Sequence, residues 1–161
     1  MDVFRDVVLV LAAVSVGLMA GVFFAYAVAV MPGLGRTDDR TFVGAFQAMD
    51  RAIVNPLFLI VFVGALAITV LAAAVHLGDE SRSAVPWILA AAVLYLVVFV
   101  ITVRVNVPLN DAIKAAGDPE QVDAAAVRKR FSEATWVRWN VVRTALTTAA
   151  LGCLAIALAV V

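Results

Sequence analysis

The chain has 161 residues, of which 65% are hydrophobic; its mean hydropathy is +1.05, and 12 Lys and Arg balance 12 Asp and Glu. Soluble domains run at roughly 45–50% apolar content, so this composition excludes a water-soluble globular domain and leaves a polytopic membrane protein of one-domain length. Zero net charge and the lack of any nucleic-acid motif exclude a nucleic-acid binder.

Four apolar runs, at about 7–31, 56–75, 86–105 and 139–161, are each long enough to cross hydrocarbon. A span of about 30 Å takes about 20 helical residues. The runs are continuous and lack the alternation of barrel strands, so they read as helices. The expected fold is all-α. It is an integral membrane four-helix bundle with helices near 6–31, 56–76, 86–107 and 119–160, a short interfacial helix after helix 1 and a cytoplasmic extension of helix 4.

Helix 1 carries an early Arg5 like a signal peptide, but its apolar run is too long for one, and it reads as a retained span. Ala13, Gly17, Gly21 and Ala25 recur every four residues. Such a small-residue stripe lets a neighbouring helix approach closely, within the bundle or between protomers. Tyr26, near the far end, reads either as a pocket residue or as an interfacial anchor. Pro32-Gly33-Leu34-Gly35 ends the helix, and in the polar stretch Arg36-Thr37-Asp38-Asp39-Arg40 an Asp or Thr is available as an N-cap for the next.

Phe42, Phe46, Met49 and Ile53 then form one apolar face, with Gln47, Asp50 and Arg51 off it, which predicts a short interfacial helix. Asn55-Pro56 breaks the chain before helix 2. That helix closes on a polar turn, 76–83, where the lone His76 reads as a C-terminal cap. The single cysteine, Cys153, reads as a small core residue. Helix 3 opens on Pro86-Trp87 and is kinked or stopped at Pro108, with Asn106 and Asn110 bracketing the break. In the 109–138 loop, Asp118-Pro119-Glu120-Gln121 has the pattern of a helix start, from which helix 4 is expected to run unbroken to the C-terminus.

Orientation is set by Lys and Arg. The N-terminal side, with the 76–85 loop and the C-terminus, holds Arg5 and Arg82; the other side holds Arg36, Arg40, Arg51, Arg104, Lys114, Arg128, Lys129, Arg130, Arg138 and Arg143. The positive-inside rule then places both termini outside and the 32–55 and 108–138 loops in the cytoplasm. The expected location is a bacterial inner membrane.

Polar groups at the ends of apolar runs are costly unless they pair or face a cavity. Trp136, Trp139, Asn140 and Arg143 fall at i, i+3, i+4 and i+7 on one helical face, with Glu133 one turn earlier. Trp136 and Arg138 also read as membrane-edge anchors. Asn140 and Arg143, with Asn106 and Asn110, form a polar cluster that either braces the kink or holds an anionic or carbonyl-bearing ligand.

The pattern Gly21-x-Phe23-Phe24-Ala25-Tyr26, Met31-Pro32-x-Leu34, Phe46-Gln47-x-Met49, Asn55-Pro56-x-Phe58, Asn106-x-Pro108-Leu109-Asn110 and Trp136-x-x-Trp139-Asn140-x-x-Arg143 resembles the anthrone oxygenase-like family of small integral membrane proteins. The resemblance implies a four-helix membrane protein. It further implies oxidation of an anthrone or another flat apolar substrate by O2 at the cytoplasmic face, with no metal or other cofactor. On that reading Arg143, Asn106, Asn110 and Asn140 bind an oxyanion, and Glu133 or Asp50 is the base. Trp136, Trp139, Tyr26 and Gln47 then contact substrate. No metal-ligand, CxxC, GxGxxG or Walker pattern is present. The rival reading is a non-enzymatic membrane subunit that binds a lipid, quinone or protein partner, or a second copy through the Gly17 and Gly21 face. A transporter is disfavoured, since no acidic residue falls within a span and no repeat is evident.

Overall fold

The computed structural model describes residues 3–78 and 82–161; the 79–81 part of the polar turn after helix 2 lies outside it. Among the described residues every regular element is a helix and there is no strand. Four helices are long and apolar enough to cross a membrane: α1 (Val3–Leu34), α3 (Pro56–His76), α4 (Val85–Lys114) and a last span, Ala124–Val160, which divides into α5 (Ala124–Phe131) and α6 (Glu133–Val160). The short α2 (Asp39–Ile53) lies between α1 and α3 in the chain.

α1 packs against α3 and α6, and α4 packs against the same two, which closes a four-sided bundle. Each helix turns one stripe inward. On α6 the buried positions are Trp136, Asn140, Arg143, Thr147, Ala150, Leu154 and Ala157, alternating by four and three, the spacing that keeps one seam facing its neighbours. The apolar side chains on the outer faces, such as Leu18, Leu57, Val93 and Ile156, are exposed, as lipid solvation allows. Several polar groups inside the spans find backbone partners. Thr69 Oγ1 donates to Ala65 O (2.6 Å), Tyr95 Oη donates to Phe62 O (3.0 Å), and His76 Nδ1 lies 2.7 Å from Ala72 O.

Two expectations about helix ends are corrected. Helix 1 ends at Leu34, within the expected 32–35 stretch, whereas Pro108 does not stop α4; both Pro32 and Pro108 sit inside helix. Each is preceded by a π-helical turn, Tyr26–Val30 in α1 and Thr102–Asn106 in α4, after which α-helix resumes. The Met31 and Val107 amides reach back to the Tyr26 and Thr102 carbonyls, five residues away. A widened turn gives the pyrrolidine ring room against the preceding turn, so the proline is accommodated rather than terminating the helix. Helix 4, in turn, does not start at Pro119. Residues 118–121 form a turn closed by Gln121 N to Asp118 O (2.9 Å) and tied to α2 by an Arg40–Glu120 ion pair (2.8 Å). Asp123 is the true N-cap, accepting from Ala126 N (3.0 Å).

The last span is also broken, at Ser132, which sits in the left-handed region (φ 55°). On one continuous helix Phe131 and Trp136 would point about 140° apart. The break lets both enter one aromatic cluster, with Phe46 4.6 Å from Phe131 and 5.6 Å from Trp136, ring centre to centre.

α2 begins at Asp38, whose carboxylate accepts from Arg40 N (3.1 Å) and Thr41 N (3.0 Å). The Thr41 hydroxyl, with these amides, holds that carboxyl below its usual pKa. The inner face of α2 differs from expectation. Gln47 and Asp50 are buried beside Phe42, Val43 and Phe46, while Met49 and Ile53 are half-buried. Polar groups occupy this face because they have partners there. Gln47 Nε2 donates to Ile113 O (2.8 Å) and Gly117 O (3.0 Å), and Asp50 pairs with Lys114 (2.8 Å).

Candidate functional site

At the loop-bearing end of the bundle, where α3 is short of its neighbours, the four sides do not close on one another. A cavity of about 100 Å³ remains, built from α1, the end of α2, the first turn of α3, the π turn of α4 and α6. Its polar residues are Asp50, Thr102, Asn106, Asn110, Asn140 and Arg143, and its aromatic walls are Phe23, Tyr26, Phe46 and Trp136. The remaining lining residues, Val22, Ile53, Val54, Phe58 and Val107, are all apolar.

Arg143 is the electrostatic centre. It is 4% exposed, and its guanidinium donates to Thr102 Oγ1 (3.1 Å) and Asn140 Oδ1 (3.0 Å). The group lies 4.4 Å from the Phe23 ring centre and 5.6 Å from that of Trp136, in cation–π range. No carboxylate among the described residues forms an ion pair with it. A buried, uncompensated cation is costly. Moreover, Arg143 Nε is a buried donor without a partner, and Asn106 Oδ1 is a buried acceptor without one. Two residues lining the cavity therefore each keep a hydrogen-bonding atom, one donor and one acceptor, that their neighbours leave unused.

The other amides are committed. Asn140 Nδ2 donates to Phe23 O (3.0 Å), which fixes α6 to α1. Asn110 bridges two lining residues: it accepts from Trp136 Nε1 (2.7 Å) and donates to Asp50 Oδ1 (2.6 Å). Asp50 is held on its other oxygen by Lys114, which also pairs with the exposed Asp111 (3.1 Å). Asp50 is thus a carboxylate at the cavity wall with a chain of charged groups leading to the surface.

Six residues singled out in the sequence, Arg143, Asn140, Asn106, Asn110, Trp136 and Tyr26, come together around this one cavity. Three do not. Glu133 lies away from the cavity in an ion pair with Arg128 (2.7 Å), which also reaches Asp39 (3.1 Å) and the Thr37 carbonyl (3.1 Å). Gln47 is spent on the backbone of the 113–117 turn. Trp139 is half-buried and does not line the cavity. The inward face of α6 is centred on Trp136, Asn140 and Arg143, and Trp139 falls about 60° to one side of it. Sequence reasoning does not find Thr102 or the apolar rim. Thr102 lies four residues before Asn106, so helical spacing puts the two on one face, and that spacing is the signal that could have found it. Among the described residues no cluster of three or more His, Cys, Asp or Glu has the makings of a metal site.

No curated protein and no solved structure matches this sequence. A family model described as anthrone oxygenase matches residues 45–153, about two thirds of the chain. That stretch includes Asp50, both asparagines of α4, and the Trp136, Asn140 and Arg143 face of α6. By this match the chain, a bundle of four membrane-length helices, belongs to the anthrone oxygenase family.

Proposed function

We propose that the cavity is the active site of an oxygenase that inserts oxygen from O2 into an acidic carbon of a flat, carbonyl-bearing apolar substrate of the anthrone type. The observation that carries this reading is the buried Arg143, with no carboxylate partner and one unused N–H, on the wall of an apolar-rimmed cavity. A pre-positioned cation in a water-poor site is suited to an oxyanion that forms during reaction. Asp50 is the base in this scheme, since Glu133 is tied to Arg128 outside the cavity.

Asp50 takes a proton from the methylene carbon, and the electron pair moves to the carbonyl oxygen, where Arg143 stabilises it. The enolate carbon reacts with O2 to give a carbon-bound peroxide, which takes up a proton. Loss of the second carbon proton expels hydroxide as the O–O bond breaks, leaving a new C=O and one water. The methylene carbon loses four electrons and O2 gains four, so the reaction balances. Trp136 and Tyr26 flank the ring system. The excess of Lys and Arg at the loop-bearing end supports a cytoplasmic position for it.

The test is oxygen uptake by the purified protein in detergent with anthrone. Uptake of one O2 per quinone formed, above the uncatalysed rate and reduced by about 10²–10³ in Arg143→Met, is expected. Uptake no faster than in protein-free detergent would overturn the reading.

A further inference from the structure

The cavity is polar within and apolar at its edge. Of its five aliphatic and phenyl edge residues, Val54 (53% exposed) and Val107 (39% exposed) reach the outer surface, and Val22 and Phe58 are half-buried. Val22 and Phe58 also line a second groove of about 180 Å³, with Leu18, Met19, Asn55, Leu57 and Val61, on the outer seam between α1 and α3. The two spaces therefore meet at one pair of side chains. Leu18 and Leu57, at 56% and 72% exposed, face outward beside that seam.

The depth of the seam matters. α3 has 21 residues, which is just about the roughly 30 Å hydrocarbon thickness. Its first turn, with Phe58, thus stands at the apolar boundary, and the groove running on toward Val61 and Leu18 lies in hydrocarbon. Volume points the same way. Pockets that enclose drug-sized ligands measure about 300–1,000 Å³, so a multi-ring molecule whose polar end sits at Arg143 extends past the rim of a space of about 100 Å³. The groove beyond Val22 and Phe58 is where it extends.

We propose that the ligand of this cavity reaches it from the hydrocarbon phase of the bilayer, between α1 and the first turn of α3, across a threshold made by Val22 and Phe58. The ligand class is then a membrane-dissolved apolar molecule with one compact polar end, which accepts from Arg143 Nε and donates to Asn106 Oδ1. This deepens the functional reading in that it concerns the same cavity, but it does not depend on the oxidation chemistry.

The experiment uses the full chain in phosphatidylcholine vesicles, with Trp87→Phe and Trp139→Phe leaving Trp136 as the sole tryptophan. Its fluorescence is quenched with either a lipid-soluble nitroxide (tempo benzoate) or aqueous acrylamide. The nitroxide is expected to quench more steeply than acrylamide. Val22→Phe should lower the nitroxide slope about twofold and Phe58→Ala raise it about twofold, since packed side chains set the width of the threshold, while the acrylamide slope stays unchanged. Acrylamide quenching as steeply as the nitroxide would overturn the proposal, and so would a nitroxide slope indifferent to both substitutions. Because the two substitutions act in opposite directions, a fold defect in either cannot imitate the expected pair. Oxygen uptake by the unmodified protein with anthrone is read separately. The expected quenching without uptake keeps the route and discards the oxidation; uptake with unaltered slopes keeps the oxidation and discards the route.

Discussion

Replacing Arg143 with Met separates a catalytic cluster from a structural brace. Met keeps most of the volume but removes the charge. Asn140 loses the guanidinium from its carbonyl oxygen but keeps its own bond to Phe23 O (3.0 Å), and Thr102 still donates to Val98 O (2.8 Å). The cost is therefore one deprived buried acceptor, about 1–3 kcal/mol, plus about 1–2 kcal/mol for the contacts with Phe23 and Trp136. Against this, a buried charge without a counter-ion is no longer desolvated, a relief of several kcal/mol. The sum closes to within about 2 kcal/mol, so Tm should move by less than about 8 °C, at about 2–4 °C per kcal/mol for a chain of this size. Turnover should nonetheless fall by about 10²–10³, the effect of deleting an oxyanion donor. The assay is thermal unfolding in detergent alongside oxygen uptake with anthrone. A Tm drop beyond about 15 °C, with activity loss only in proportion to unfolding, would make Arg143 a brace and not a catalytic group.

Asp50→Asn should cut turnover by about 10²–10⁴ as loss of a general base, while Glu133→Gln, which disturbs only the Arg128 pairing, leaves turnover nearly intact; the reverse order in a steady-state assay would dismiss Asp50. Gln47→Ala removes two bonds to the Ile113 and Gly117 carbonyls and should cost about 2–3 kcal/mol, read as a lower Tm with KM unchanged in the folded fraction. Gly17→Leu should cost about 1–3 kcal/mol by overpacking, because a Cβ there is already in contact with Leu151 at 3.6 Å and the rest of the leucine must displace it; Gly21→Leu, with nothing within 4 Å of its Cβ, should leave Tm unmoved.

Much of this architecture is legible in the sequence because hydrocarbon sets a minimum length that few other constraints imitate. The grouping of Asn140 and Arg143 is legible for a similar reason: both lie on one unbroken helix, where spacing alone sets the face. Asp50 reads as facing out because apolar periodicity on α2 runs through Phe42, Phe46, Met49 and Ile53. Its true setting depends on Asn110 and Lys114, some sixty residues away, which no local pattern encodes. Pro108 reads as a kink or a stop because the α-helical rule for proline does not allow for the wider turn that the backbone adopts there. The break at Ser132 is likewise tertiary: it exists so that Phe131 and Trp136 can share a cluster.

The paired π turns also bear on how each helix is divided between tasks. A turn closed over five residues takes in one residue more than the α repeat, which rotates the rest of the helix by about 100°. Before its wide turn, α1 presents Met19 and Phe23 to the core between the spans; after it, Met31 faces the separate core of Phe42, Phe46 and Phe131. α4 does the same, with Tyr95 and Val98 on one core and Ile113 on the other. Each helix thus serves two interiors whose directions do not coincide, and the offset is taken up at the level of Tyr26, Thr102 and Asn106. The cavity lies at the joint between these interiors, where neither sets the packing, and that is why space remains there.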